Sequence, residues 1–151
     1  MPEDQVKPKV YHYANSVQWH GTTRGALTAD GRPDVEVGTP PDFGGDAGVW
    51  APEDMIVAAL NACVMSTFLY FAQRMGVPLA AYESHAEGRL EFRPDGGSFT
   101  AFTVRPAISV TGGPESIEQA RRAAEKAHNC VISRSLSAQV TIEPEFRQES
   151  A

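Results

Sequence analysis

The sequence is poor in cysteine and has no excess of positive charge. Only two of its 151 residues are cysteines, and 13 Lys and Arg stand against 19 Asp and Glu, a formal net charge of −6. Nucleic acids are bound through clustered Lys and Arg that release counterions, so the composition argues against a nucleic-acid partner. Neither a Cys-x-x-Cys nor a His-Glu-x-x-His pattern is present, so the usual zinc motifs are excluded.

The chain also begins without the basic and apolar regions of a secretory signal, since it reads Met-Pro-Glu-Asp-Gln. We therefore expect a cytoplasmic protein. In that compartment two cysteines rarely form a permanent structural bridge and more often are buried thiols, metal ligands or a redox pair. The length suits a single domain over residues 1–151, in which the polar residues 1–9 are expected to be flexible.

Hydrophobic alternation and turn residues predict an α+β fold in the order βββ-α-ββ-α-β. The expected strands are 10–19, 21–28, 33–37, 82–93, 99–110 and 138–143. The expected helices are 51–75 and 115–128, followed by a short turn or helix through Arg134. Pro106 lacks a backbone N–H, so its strand is expected to lie at a sheet edge or to carry a bulge.

The long helix expected at 51–75 is apolar on nearly every face, and only Asn61, Ser66 and Thr67 interrupt the apolar run. The run is somewhat short for a bilayer and lies in an otherwise polar chain, so we expect no membrane span. A helix that is apolar all round is buried all round, and a domain of this size has difficulty covering about six turns on every side. We therefore predict a homodimer with this helix at its centre.

The two cysteines differ in their predicted surroundings. Cys63 lies in the middle of the apolar helix, where a free cysteine is most often part of the core. Cys130 follows Asn129, an N-cap candidate, and would then begin a short helix whose dipole lowers a thiol pKa. A dimeric protein that binds an apolar ligand and keeps both thiols as core residues is the alternative to a redox pair. A weaker alternative is a metal site that combines a cysteine with His12, His20, His85 or His128.

Two segments resemble the signatures of the OsmC/Ohr family of peroxide-resistance proteins. Trp50-Ala-Pro-Glu-Asp-Met-Ile-Val-Ala-Ala-Leu-Asn-Ala-Cys63 has the family's Pro-Glu pair and, ten residues after Glu53, its Ala-Cys pair. Ala123-Ala-Glu-Lys-Ala-His-Asn-Cys130-Val-Ile-Ser133 is similar to the second cysteine motif, with Val131 where the family usually has Pro. The element order also agrees, so the resemblance covers almost the whole chain.

The resemblance implies an intertwined homodimer with active sites at the subunit interface. It implies a thiol-dependent peroxidase for organic hydroperoxides, with hydrogen peroxide as a further candidate substrate, in which Cys63 is peroxidatic and Cys130 resolving. It also implies a role for Glu53 and for an arginine of the N-terminal arm, which we assign to Arg24, with Arg32 as the alternative. The partners are then the peroxide and an external dithiol reductant, and no metal or organic cofactor is required.

Elementary chemistry explains why such a site needs these residue types. The nucleophile is a thiolate, whose charge is disfavoured by burial, and Cys63 lies about three turns from its helix N-terminus. An arginine stays charged when partly buried and would hold the thiolate, while Glu53 would orient Arg24 through a bidentate pair. Ten helical residues span about 15 Å, so Glu53 cannot reach Cys63 of its own helix. If both serve one site, Glu53 comes from a second subunit, which is a separate argument for a two-fold dimer.

Several apolar residues near these motifs are candidates for lining a pocket for organic hydroperoxides. Plain core packing is the alternative for each of them. The residues are Phe43, Trp50, Met65 and Phe68.

Overall fold

The structure of the protein, a computed structural model, describes residues 6–149. Part of the expected flexible N-terminal segment, residues 1–5, lies outside the described residues. The chain forms an N-terminal unit that ends at Pro52 and a C-terminal unit that begins at Glu53. Each unit has its own sheet.

The N-terminal unit is an antiparallel meander of three strands, each of which overlaps a predicted strand. The strands are β1 (Ser16–Trp19), β2 (Arg24–Thr28) and β3 (Val35–Gly38), and a short 3-10 helix follows at Pro41–Phe43. The first strand is shorter than expected, because residues 10–15 are exposed and lie outside the β1–β2 ladder.

The C-terminal unit contains three helices and four strands, which confirms the α+β class. The elements are α1 (Pro52–Arg74), β4 (Leu79–Arg93), β5 (Gly96–Val110), α2 (Pro114–Ala127), α3 (Val131–Ser135), β6 (Gln139–Ile142) and β7 (Glu145–Gln148). The predicted order is observed with two additions: the short helix α3, left open as a turn or helix, and β7, which was not expected. Strand β7 escapes sequence analysis because Phe146 is its only large apolar residue.

The second sheet is built around β5. Strand β4 pairs with β5 in an antiparallel hairpin, and β6 and β7 pair with β5 in parallel on its other side. The prediction that Pro106 marks an edge was therefore wrong, because β5 is an interior strand. Strand β6 pairs with residues 101–104 and β7 with residues 107–110, so Pro106 lies opposite the break between the two. Because neither β6 nor β7 pairs with β5 at Pro106, the missing N–H of this proline breaks no hydrogen bond between strands.

Both ends of α1 carry recognisable signals. Pro52 occupies the first turn, where its missing N–H has no intrahelical partner in any case. At the other end Gly76 has a φ of 69°, and the N–H groups of Gly76 and Val77 donate to the carbonyls of Gln73 and Ala72. This is the Schellman arrangement, which favours glycine at the left-handed position.

Helices α1 and α2 pack against one face of the second sheet and form the core of the C-terminal unit. Alternate residues of β5 point into this core, while Arg105 on the other face pairs with Glu87 at 2.6 Å and Glu143 at 3.2 Å. Small side chains let α2 approach closely, and its charged residues lie in solvent. The buried residues of α2 are Ala120, Ala123, Ala124 and Ala127.

Among the described residues, helix α1 fully buries one stripe of its apolar surface. The stripe follows a spacing of four residues and consists of Leu60, Val64, Phe68 and Ala72. By length and composition α1 is also apolar enough to cross a bilayer, and 22% of the relevant window is buried. The expectation that α1 spans no membrane remains a prediction, supported by the packing of this stripe against the sheet.

Candidate active site

Cys63 and Cys130 lie on different elements of the C-terminal unit. Cys63 is in the middle of α1 and is partly exposed, while Cys130 is 2% exposed and belongs to the core. Cys130 itself is the N-cap of α3, and its Sγ accepts a hydrogen bond from the backbone N–H of Ser133 at 3.4 Å. The prediction of Asn129 as the N-cap was therefore wrong. A sulfur atom can occupy the capping position that sequence rules reserve for oxygen.

The fold brings the two thiols together. Both are free, Cys63 packs against the buried cluster that contains Cys130, and the two thiols are near enough to interact electrostatically. Burial raises the pKa of the Cys130 thiol, and the neighbouring Cys63 sulfur raises it further, whereas the N–H of Ser133 acts in the opposite direction. The expectation that the dipole of α3 lowers this pKa was wrong, because desolvation outweighs the hydrogen bonds from the backbone N–H groups of Ser133 and Ile132 in a helix of only five residues.

Glu53 lies in the first turn of α1, on the same continuous helix as Cys63. Ten helical residues separate them by about 15 Å, so the two side chains of one chain do not form one site. The Oε2 atom of Glu53 is buried and has no hydrogen-bond partner among residues 6–149. A buried carboxylate oxygen of this kind calls for a donor.

The two candidate arginines occupy different surroundings within the N-terminal unit. Arg24 opens β2 and pairs with Glu36 at 3.3 Å and Asp46 at 3.2 Å. It lines an open groove of about 470 Å³ together with Trp19, Val37 and other residues of that unit. Arg32 lies in the exposed β2–β3 turn, where its Nη1 donates to the carbonyl of Asp30 at 2.9 Å. The predicted pairing of Arg24 with Glu53 remains a prediction.

Sequence reasoning missed the acidic partners of Arg24. Glu36 lies opposite Ala26 in the β2–β3 ladder, so its proximity to Arg24 follows only from the strand register. It also missed a partly buried hydrogen bond between Asn61 and Ser84, although Asn61 was visible as one of three interruptions of the apolar run. A polar residue in such a run is the signal that points to a buried partner.

Phe68 does not line an open pocket. It is fully buried and stacks on Tyr82, with ring centroids 5.4 Å apart, so core packing is the correct interpretation for this residue. Phe43, Trp50 and Met65 are at least one third exposed. Within residues 6–149, no three His, Cys, Asp or Glu side chains are grouped so that they could hold a metal ion.

The architecture and the thiol pair define a class of protein: an α+β fold whose apolar central helix presents one cysteine to a second, buried cysteine. A family model described as OsmC-like protein matches residues 44–145, which include both cysteines and all of α1. The chain belongs to the OsmC-like family. Arg24 and Arg32 precede the matched residues, so the match itself does not decide between them.

Solved structures share the fold across nearly the whole chain. An OsmC-like protein of unknown function from Vibrio cholerae O1 biovar eltor is 23% identical, with a TM-score of 0.81, and the match covers 90% of this chain and 100% of that one. An organic hydroperoxide resistance protein OsmC from Legionella pneumophila is 23% identical, with a TM-score of 0.70, and the match covers 91% of this chain and 99% of that one. The organic hydroperoxide resistance protein OhrB of Bacillus subtilis is 19% identical, with a TM-score of 0.58, and the match covers 89% of this chain and 98% of that one. No curated protein matches the chain.

Proposed function

We propose that the protein is a cysteine-based peroxidase that reduces organic hydroperoxides through a Cys63–Cys130 disulfide. It would act as a homodimer in the cytoplasm, where thiols are kept reduced. The observation that carries the proposal is the proximity of the two free thiols, which come from distant parts of the chain. Membership of a family that includes hydroperoxide resistance proteins supports the same chemistry.

The unequal burial of the two thiols supports their different roles. Cys63 is partly exposed, so a peroxide can reach its sulfur, whereas Cys130 is enclosed by the core. The raised pKa of Cys130 keeps that residue a thiol at neutral pH, so it does not compete for the peroxide. Cys63 is therefore assigned the attack on the peroxide and Cys130 the resolving step.

The proposed cycle balances without a metal or an organic cofactor. The Cys63 thiolate attacks one peroxide oxygen, the O–O bond breaks, and the leaving alkoxide takes up a proton to become an alcohol. The resulting Cys63 sulfenic acid is attacked by the sulfur of Cys130, so that a disulfide forms and water leaves. An external dithiol then reduces this disulfide and is itself oxidised.

Arg24 and Glu53 would complete the site in this proposal. The surface ion pairs of Arg24 with Glu36 and Asp46 are worth little in water, so its guanidinium remains available to a thiolate. The buried Oε2 of Glu53 lacks a donor within residues 6–149, and an arginine from a second subunit would supply one. Arg32, in its exposed turn, is the alternative source of the charge.

A second subunit is also what the rest of α1 requires. Met65, Leu69 and Tyr70 lie on the side of the helix that the chain leaves uncovered. Covering such a surface is the main driving force for association between protein chains. The homodimer, with α1 at its centre, thus follows from burial as well as from the separation of Glu53 and Cys63.

The experiment is a turnover assay with cumene hydroperoxide as substrate and dithiothreitol as reductant. We expect catalytic consumption by the wild type, none by Cys63→Ser, and much slower consumption by Cys130→Ser, whose sulfenic acid has no internal thiol partner. Ser66→Ala removes a hydroxyl from the same helix and serves as the matched control, with wild-type turnover. A parallel assay with hydrogen peroxide ranks the two substrates.

Two results would refute the proposal. One is wild-type consumption no faster than that of dithiothreitol alone, and the other is consumption that survives Cys63→Ser. Either result would favour the alternative of a dimeric binding protein whose cysteines are structural.

A further inference from the structure

Asn61 and Ser84 form a polar pair between α1 and β4. The Ser84 hydroxyl donates to Oδ1 of Asn61 at 2.6 Å, and Nδ2 of Asn61 donates to the carbonyl of Ser84 at 3.5 Å. Both residues are partly buried. The fully buried residues of α1 that face the sheet are all apolar. Apolar contacts have no preferred direction, whereas the hydrogen bonds of this pair require a defined geometry.

The apolar contacts on either side of this pair show how α1 lies along β4. Before the pair, Val57 packs over Gly88, where a Cβ atom would come within 2.9 Å of Val57 Cγ2. Beyond it, Phe68 stacks on Tyr82. Helix α1 therefore runs antiparallel to β4, and the polar pair lies between two tightly packed apolar contacts.

Apolar contacts alone specify the rotation of such a helix poorly. Because α1 is apolar on nearly all faces, turning it about its axis exchanges one apolar surface for another. A turn that breaks the polar pair leaves two partly buried polar side chains without partners, and this penalty is what selects one rotation. Single buried polar residues fix helix register in the same way in coiled coils.

The rotation of α1 decides whether Cys63 meets Cys130. Cys63 follows Asn61 by two residues and lies about 200° further round the helix, so a rotation that breaks the Asn61–Ser84 pair also displaces the Cys63 sulfur from Cys130. We propose that Asn61 and Ser84 are a positioning pair that holds Cys63 against Cys130 and thereby sets the rate at which the sulfenic acid is resolved. The effect on the rate of resolution rests on the proposed peroxidase function. The effect on the proximity of the two thiols does not depend on that function.

The proximity is tested by the effective concentration of the two thiols, measured in glutathione redox buffers. Ser84→Ala removes the donor of the short hydrogen bond and is expected to lower the effective concentration about fivefold, the factor that corresponds to one net hydrogen bond. Asn61→Leu is expected to lower it at least as far. Ser84→Thr keeps the hydroxyl and is expected to restore the wild-type value.

Val57→Ala is the matched control, because it removes an apolar contact between the same two elements without touching the polar pair. It is expected to lower the melting temperature and to leave the effective concentration unchanged. Wild-type values for both Ser84→Ala and Asn61→Leu would overturn the inference. An equal fall for Val57→Ala would also overturn it, because that result means general loosening. If Asn61→Leu does not fold, Ser84→Ala and Ser84→Thr decide the question.

A second readout connects the pair to catalysis. Slow resolution leaves the sulfenic acid open to a second peroxide, so with excess cumene hydroperoxide Ser84→Ala should accumulate more protein that has gained two oxygens as a sulfinic acid. A disulfide fraction equal to that of the wild type would contradict the catalytic role. If the wild type does not react with peroxide but Ser84→Ala still lowers the effective concentration, the proposed function fails and the positioning role stands.

Discussion

The two faces of α1 have nearly the same composition but very different surroundings. On one face Leu60, Val64 and Phe68 are each 1% exposed, whereas on the other Leu69 is 37% and Tyr70 is 51% exposed. Hydrophobicity alone does not distinguish the faces, and within residues 6–149 the sheet covers one of them. In the proposed homodimer, the second face is the surface that another copy of the chain would cover.

Cys63 lies at the border between these faces. It is next to the buried Val64 and packs against the core cluster that contains Cys130, yet it remains partly exposed. A cysteine at this position belongs both to the core of one chain and to the predicted interface. The proposed chemistry therefore depends on the packing of both faces.

The largest expected effect is the loss of an aromatic ring from the buried face. Phe68→Ala should lower the free energy of unfolding by about 3–5 kcal/mol, because it leaves a cavity beneath Tyr82. Urea denaturation at several protein concentrations measures the change. Tyr70→Ala, on the other face, is the control: its effect should decrease as dilution dissociates the dimer. If both variants lose the same free energy of unfolding at every protein concentration, the two faces of α1 do not differ as we describe.

A charge on the uncovered face should separate the subunits. Leu69→Asp places an unpaired carboxylate in an apolar interface, and we expect the dimer dissociation constant to rise at least about a hundredfold. Sedimentation velocity measures it, with Gln139→Asp, at the exposed first residue of β6, as the matched charge control. A wild-type chain that sediments as a monomer at all concentrations would refute the dimer directly.

The pH dependence of alkylation tests the burial of the resolving thiol. Burial raises the pKa of Cys130, so less thiolate is present at a given pH in the folded than in the unfolded chain. In Cys63→Ser, reaction with iodoacetamide should therefore have its midpoint at higher pH in the folded protein than in guanidinium chloride. A folded midpoint at or below the unfolded one would show that Cys130 is activated rather than protected.

The smallest effect is expected at Val131, which is exposed and occupies the first position of α3. A proline is tolerated at that position, because the N–H it removes has no intrahelical partner. Val131→Pro should change the free energy of unfolding by no more than about 1 kcal/mol, in the stabilising direction. A loss of stability in thermal denaturation of the reduced protein would contradict this prediction and would mean that this loop departs from helical geometry.

Local sequence signals predicted most of the helices and strands, but they did not predict how all of the strands pair. The Pro52, Glu53 and Gly76 signals located α1, and the alternation of 82–93 located the long hairpin. The break opposite Pro106 and the strand β7 were not predictable, because both arise from parallel pairing with β5 far away in the chain.

The site was predictable in its residues and less so in its electrostatics. The resemblance of two motifs selected Cys63 and Cys130, and the fold places the two residues in the same part of the core. The direction of the pKa shift of Cys130 was missed, because desolvation depends on how completely the core encloses the thiol. The partner of Asn61 was missed for a similar reason, since Ser84 is on a strand that reaches α1 only after the sheet has formed.

The most direct test of a coupled thiol pair is the intact mass of the reduced protein after one equivalent of cumene hydroperoxide. Our account predicts the rapid loss of two thiols and two hydrogens, with a peptide that links Cys63 to Cys130 after digestion. Both thiols remaining free, or a stable gain of oxygen at Cys63 with Cys130 unreacted, would contradict it.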